Sequence, residues 1–186
     1  MHTTTATAER TRTMVLISLM AAVICILGPL SLAIPVSPVP ISLTNLAVYF
    51  SIYVLGTKRG TISYLIYLLI GLVGVPVFSG FTGGPAKLLG PTGGYLIGFI
   101  FMAIICGFFI DRTENRILQL IGMCLGTAVC YLFGTAWLAR VAGMSFGAAL
   151  SAGVIPFIPG DLAKIVLALI IGPTIRERLR QAGFIA

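Results

Sequence analysis

The sequence predicts a single all-α integral membrane domain, six transmembrane helices with irregular outer loops, from three observations. The 186 residues are 58% hydrophobic and 9% charged, with a mean hydropathy of +1.08, a balance foreign to soluble globular domains. Long apolar runs follow one another, and because a helix needs about 20 apolar residues to cross the hydrocarbon, this length holds about six spans and short connections. Transmembrane β-barrels instead show short segments of alternating hydropathy. Finally, the charges lie between the apolar runs, with FIPGDLAK (Phe157–Lys164) as the exception. It places Asp161 and Lys164 three residues apart inside apolar sequence, on one side of a helix that starts there.

Residues 1–13 read as a polar, mobile tail carrying His2, the sole histidine, and residues 14–186 as the membrane domain. Arg10 and Arg12 precede an apolar run, as in a signal peptide. No clear small-x-small cleavage site follows, and the apolar character continues to Ile34, so a first helix is expected over Met14–Leu30, ended by Gly28 and Pro29. Pro35, Pro38 and Pro40 each fix φ and remove a backbone donor, which predicts an extended connection. A second helix covers Ile41–Leu55, GTKRG makes a turn, and a third covers Thr61–Val73. Val75–Tyr95 is the longest irregular segment. Its interleaved Phe78, Phe81, Leu88 and Leu89 predict an ordered lid or re-entrant loop. A fourth helix follows over Tyr95–Ile110, a charged turn at Asp111–Arg116, and a fifth helix over Ile117–Val141. A glycine-rich connection leads to the sixth, Gly160–Ile171, and Arg176, Arg178 and Arg180 form a basic tail.

Six spans put nine of the twelve basic residues on the side of the termini, leaving Lys87, Arg140 and Lys164 toward the other. The bias toward cytoplasmic Lys and Arg therefore predicts a multi-pass protein of the cell membrane with both termini cytoplasmic. The net charge of +7 is absorbed by this topology and calls for no nucleic-acid partner. Nine of the ten prolines fall in the outer connections. Irregular backbone near membrane depth survives only where protein or a water-filled cavity satisfies it, so a pocket is expected in the outer half, with Asp161 and Lys164 opening onto it.

A charge at the bilayer centre costs about 2.5–3.5 kcal/mol on insertion scales, so an intramembrane acid and base face a partner, a cavity or a ligand. The alternative is an ion pair that pins a helix end. Asp161 accepts hydrogen bonds from N–H groups, Lys164 donates to a carboxylate or carbonyl, Asn45 does both, and Thr44, Thr92 and Tyr95 add hydroxyls. For Asn45 an interhelical hydrogen bond is the competing role. Gly80–Lys87, GFTGGPAK, fails the Walker pattern, because its lysine follows alanine and no Ser or Thr comes next. ATP hydrolysis by this chain is therefore not expected. Gly83 and Gly84 would let backbone approach a ligand or serve a turn, while Lys87 would meet an anion or water. No catalytic constellation, metal set or cofactor motif is present in the spans, and Cys25, Cys106, Cys124 and Cys130 read as buried packing residues. Ser18 and Ala22, like Ala21 and Cys25, are small residues four apart that allow close helix approach.

With these residues in view, the chain resembles the BioY family, the biotin-specific S components of energy-coupling factor (ECF) transporters. The resemblance runs from about Arg10 onward and is carried by PVPISLTN (Pro38–Asn45), GVPVFSG and GPTGGY between Gly74 and Tyr95, and FIPGDLAK. It implies a six-helix protein that binds biotin from outside, beneath the connections between helices one and two and helices three and four. Asp161 and Lys164 would lie at the ligand, with Asn45, Tyr95 and the glycine-rich loop as further candidates. It also implies a transmembrane coupling (T) subunit and a pair of ATPase subunits as partners. The family docks the T subunit through an alanine-x-x-x-alanine face of the first helix, where this chain has Ser18 and Ala22. A solitary, proton-coupled or facilitative small-solute transporter and a structural or assembly protein are the competing readings.

Overall fold

Six long helical segments form the bundle. The computed structural model describes residues 2–35 and 37–185, with side chains from residue 9 onward. The side chain of His2 lies outside those described. Helix α1 (His2–Leu27) begins well before the expected Met14 and stops at Gly28–Pro29, as the sequence predicts. Beyond it the proline-rich segment is closed by a two-residue antiparallel ladder between β1 (Ser31–Leu32) and β2 (Ile41–Ser42). The extended connection is thus a strap whose ends are pinned together.

Helix α2 (Thr44–Leu72) supplies two of the six long segments, because it breaks at Gly56 (φ 76°, ψ 176°). Ser51 Oγ lies 3.4 Å from the Gly60 carbonyl oxygen, whereas nine residues of unbroken helix would separate them by about 13 Å. The chain therefore folds back on itself at Gly56. The expected turn GTKRG shrinks to this one residue, since Thr57 already begins the second arm. Asp111, 54 positions away, makes this possible: its Oδ2 accepts from both Thr57 N and Thr57 Oγ1 at 2.7 Å and caps the new helix. Arg176 holds the other carboxylate oxygen at 3.2 Å.

Between α2 and α4 (Gly93–Arg112), the irregular segment is ordered. It carries a bridge between Phe78 and Thr82, the fully buried Phe78 ring and a short helix α3 (Pro85–Leu89). Helices α4 and α5 (Arg116–Ala142) pack against each other most extensively. Gly122, Gly126, Cys130 and Gly134 make a small-residue stripe at four-residue spacing along α5; an added Cβ at Gly134 would come 2.2 Å from the Tyr95 ring. The glycine-rich connection after α5 contains a further helix, α6 (Phe146–Gly153), capped by Ser145 Oγ accepting from Ala148 N, and a 3₁₀ turn at Ile155–Phe157. Helix α7 (Ile158–Gln181) starts with Pro159 in its first turn and continues through Pro173. The basic residues Arg176, Arg178 and Arg180 are therefore helical and not a tail.

Among the described residues, four helical stretches are long and apolar enough to cross a membrane: Glu9–Leu27, Gly93–Arg112, Arg116–Ala142 and Phe146–Gln181. The two arms of α2, 44–55 and 57–72, complete the six. Arg12 donates to the Gly183 carbonyl, and Arg176, Asp111 and Thr57 join α7, α4 and α2 at the same basic end of the bundle. The pocket lies at the other end.

Candidate functional site

The strap, the first turns of α2, α4 and α7, and the middle of α5 surround a cavity of about 670 Å³, its open mouth included. Its walls are largely apolar and aromatic, with Leu96, Phe99, Met102 and Phe157 among them.

Asp161 is the hub of the polar wall. Pro159 and Gly160 start α7 so that Asp161 sits in its first turn, where the partial positive charge of the helix end favours a carboxylate. Asp161 Oδ1 accepts from Asn45 Nδ2 at 2.9 Å and from Lys164 Nζ at 3.0 Å, and Oδ2 accepts from the Tyr131 hydroxyl at 2.6 Å. Lys164, one helical turn on, also donates to the Ser42 carbonyl at 2.6 Å. Three helices and the strap thereby meet at one carboxylate. Asn45 is further fixed because its Oδ1 accepts from Leu46 N at 3.0 Å.

Counting donors and acceptors gives what this cluster can still bind. An ionised carboxylate has about four acceptor positions, and three of Asp161's are used. Lys164 has spent two of its three N–H groups and Asn45 one of its two. One acceptor position on Asp161 and one N–H each on Lys164 and Asn45 remain. That set suits a neutral group that presents an N–H beside a carbonyl.

Of the residues singled out in the sequence, Asp161, Lys164, Asn45, Thr44, Thr92 and Tyr95 all line this cavity. Tyr95 donates to the Gly153 carbonyl at 2.8 Å and so ties α4 to α6, while Thr92 Oγ1 donates to the Lys87 carbonyl at 3.4 Å. Gly83, Gly84 and Lys87 do not line it. A Cβ on Gly83 would lie 2.4 Å from the Val75 carbonyl oxygen, and Gly84 (φ 89°) turns the chain into α3, so both glycines close the loop on itself. Lys87 is half-buried, which lowers its pKa by desolvation, and donates to the carbonyl of Ser79, itself a lining residue. Ser18 and Ala22 are exposed on α1, far along the chain from the cavity walls.

Tyr131 escaped the sequence reading, as did the Tyr49 hydroxyl, which bonds Thr127 Oγ1 at 2.6 Å. The signal was there in α5: Gln119, Thr127, Tyr131 and Thr135 recur at multiples of four, which puts them on one face. Among the described residues no group of three or more His, Cys, Asp or Glu side chains converges as a metal site would require.

Residues 1–181 match the BioY family. A biotin transporter BioY of Rhizobium etli is 41% identical, over 87% of this chain and 91% of that protein, and one of Thermotoga maritima is 37% identical, over 78% and 86%. Among solved structures, the S component for biotin from an ECF-type ABC transporter superposes with a TM-score of 0.84 at 34% identity, covering 91% of this chain and 93% of that one. With a family match over nearly its whole length, and relatives and a solved structure more than 30% identical over most of it, the chain belongs to the BioY family.

Proposed function

We propose that this chain is the biotin-binding S component of an ECF-type importer, a substrate-binding subunit and not an enzyme. The single observation that carries the reading is the hydrogen-bonding capacity left at Asp161, Lys164 and Asn45 on the wall of an otherwise apolar pocket. Biotin's urea ring offers a carbonyl for the Lys164 and Asn45 N–H groups and an N–H for Asp161, and its bicycle and chain suit the aromatic walls. Thr44, Thr92 and Tyr95 complete the polar lining, while Gly83, Gly84 and Lys87 shape the loop over it, with Lys87 the nearest candidate for the ligand carboxylate. The names of the relatives support the choice of ligand.

In this reading the pocket opens outward from the cell membrane, and the basic end of the bundle, with both termini, is cytoplasmic. A T subunit docks on the exposed small face of α1 at Ser18 and Ala22, and a pair of ATPases drives release. Replacing both residues with leucine should leave biotin binding by the purified chain unchanged and abolish uptake by cells carrying the complete importer. Labelled-biotin uptake with and without the ATPase subunits tests the assignment itself. Uptake that requires them is the expected result. Uptake by this chain alone, lost when the proton gradient is collapsed, would contradict it and identify a solitary transporter.

A further inference from the structure

A second cavity opens at the basic end of the bundle, away from the pocket around Asp161. It measures about 1010 Å³, its open mouth included, and lies where α4 ends, α5 begins and α7 passes Pro173. These are the ends of candidate membrane spans, so the cavity sits at the depth of lipid headgroups. Its floor is polar. Buried Gln119 accepts at Oε1 from the Tyr53 hydroxyl at 3.0 Å and from Arg116 Nη1 at 3.2 Å, and its Nε2 donates to the Thr113 carbonyl at 2.7 Å.

Four arginines line this cavity, Arg112 and Arg116 beside the α4–α5 turn and Arg176 and Arg180 on α7. Arg176 is held by Asp111, whose other carboxylate oxygen is taken by Thr57, so that acid is spent within the fold. Arg112 and Arg116 differ. Among the described residues neither pairs with a carboxylate: Arg112 lies 4.5 Å over the Phe108 ring, and Arg116 bonds the neutral Gln119 amide. Glu114 stands midway between them in sequence, also lines the cavity, and forms an ion pair with neither. Two guanidiniums, each a planar fork of donors suited to phosphate oxygens, are therefore left at the rim of a polar cavity without an internal counter-ion. Phe108, under Arg112, is exposed on α4, so the rim runs on into an apolar face.

We propose that this cavity is a phosphate site for the headgroup of an acidic membrane lipid, held by Arg112 and Arg116 on one side and by Arg176 on the other. Basic pockets between spans at headgroup depth take anionic lipids for this electrostatic reason. The apolar face continuing from the rim at Phe108 suits acyl chains, which makes a lipid the source of the phosphate and not phosphate in solution. The bound headgroup bridges the α4–α5 turn and α7, which Asp111 and Arg176 already tie together. The site is independent of what fills the pocket at the other end.

Thermal melts of the purified chain in detergent, titrated with phosphatidylglycerol, phosphatidylcholine or inorganic phosphate, test it. Phosphatidylglycerol should raise the melting temperature saturably, because a ligand that binds the folded state stabilises it. Phosphatidylcholine, whose phosphate is neutralised by its own cation, should not. Arg116→Gln should shift the midpoint of the phosphatidylglycerol titration about 5-fold or more toward weaker binding. Arg178→Gln, which removes the same charge from α7 outside the cavity, should shift it by less than about 2-fold, and Glu114→Gln should tighten binding. Without lipid, Arg116→Gln should melt close to the parent, since Gln119 keeps its bonds to Tyr53 and Thr113. Equal losses in Arg116→Gln and Arg178→Gln would mark diffuse attraction to a basic surface and overturn the site. A Glu114→Gln variant that responds no more strongly than the parent would do the same. Stabilisation by inorganic phosphate with none by phosphatidylglycerol would overturn the lipid as its ligand.

Discussion

Asp161→Ala should abolish measurable biotin binding at concentrations that saturate the parent, and should destabilise the fold. Four groups are organised by this carboxylate: Asn45 and Lys164 at Oδ1, Tyr131 at Oδ2, and, through Lys164, the Ser42 carbonyl of the strap. Removing one member of a buried ion pair leaves the other without compensation and costs about 3–5 kcal/mol. On the ligand side, one charge-assisted hydrogen bond is lost and two further donors are released from position, which corresponds to roughly 100-fold or more in affinity. Asp161→Asn separates the two effects. It keeps the shape and one carbonyl acceptor, so the protein should purify folded, yet the Lys164 ammonium loses its counter-charge and the ligand N–H its anionic acceptor. If Asp161→Asn lowered the melting temperature and left biotin affinity intact, the cluster would be a strut and not a site.

Gly93→Ala, at the first residue of α4, should be the most damaging glycine-to-alanine substitution where the loop over the pocket meets the bundle. A Cβ there would lie 1.6 Å from the Leu88 carbonyl oxygen, 2.6 Å from its carbon and 3.0 Å from Trp137 Nε1. The carbonyl is backbone at the end of α3 and cannot swing aside as a side chain would. The same segment is held from the other side by Trp137 Nε1 donating to the Gly90 carbonyl at 3.0 Å. Relief of the clash requires α3 to lift from α4, which breaks the Thr92–Lys87 hydrogen bond and moves two lining residues, Thr92 and Tyr95. Overpacking costs about 1–3 kcal/mol and more where backbone is struck, so a loss near 3 kcal/mol, measured by thermal or denaturant unfolding with and without biotin, is expected together with weakened binding. Gly147→Ala in α6 is the control: nothing lies within 4 Å of its added Cβ, and a helical Gly→Ala change is neutral to stabilising by roughly 0.5–1 kcal/mol.

Much of this was legible in the chain because the informative signals are local. Gly28–Pro29 marks the end of α1, and an acid and a base in apolar sequence demand an explanation from the bilayer alone. What stayed hidden depends on partners distant in sequence. GTKRG reads as a five-residue turn, yet Asp111 caps Thr57 from another helix and lets the second arm begin at once. The sixth helix is expected to end at Ile171, but α7 continues through Pro173 to Gln181, with Arg176 held by Asp111. The segment after α5 is rich in glycine and alanine, so its periodicity is weak and Ser145 was the only cue to α6. Tyr131 and Tyr67 pass for apolar filler in their spans. Only assembly of the bundle brings the Tyr131 hydroxyl to Asp161 and buries the Tyr67 ring against Phe78.

The central claim, that Asp161, Lys164 and Asn45 form the head-group site for biotin, is tested most directly by titrating biotin into the purified chain and its Lys164→Ala variant without nucleotide or partner subunits. The account predicts saturable binding of one biotin per chain, weakened roughly 10- to 100-fold in the variant, because Lys164 both donates to the ligand and holds the strap at Ser42. A folded parent chain that shows no saturable biotin signal while a related vitamin titrates, or a Lys164→Ala variant that binds biotin as tightly as the parent, would contradict it.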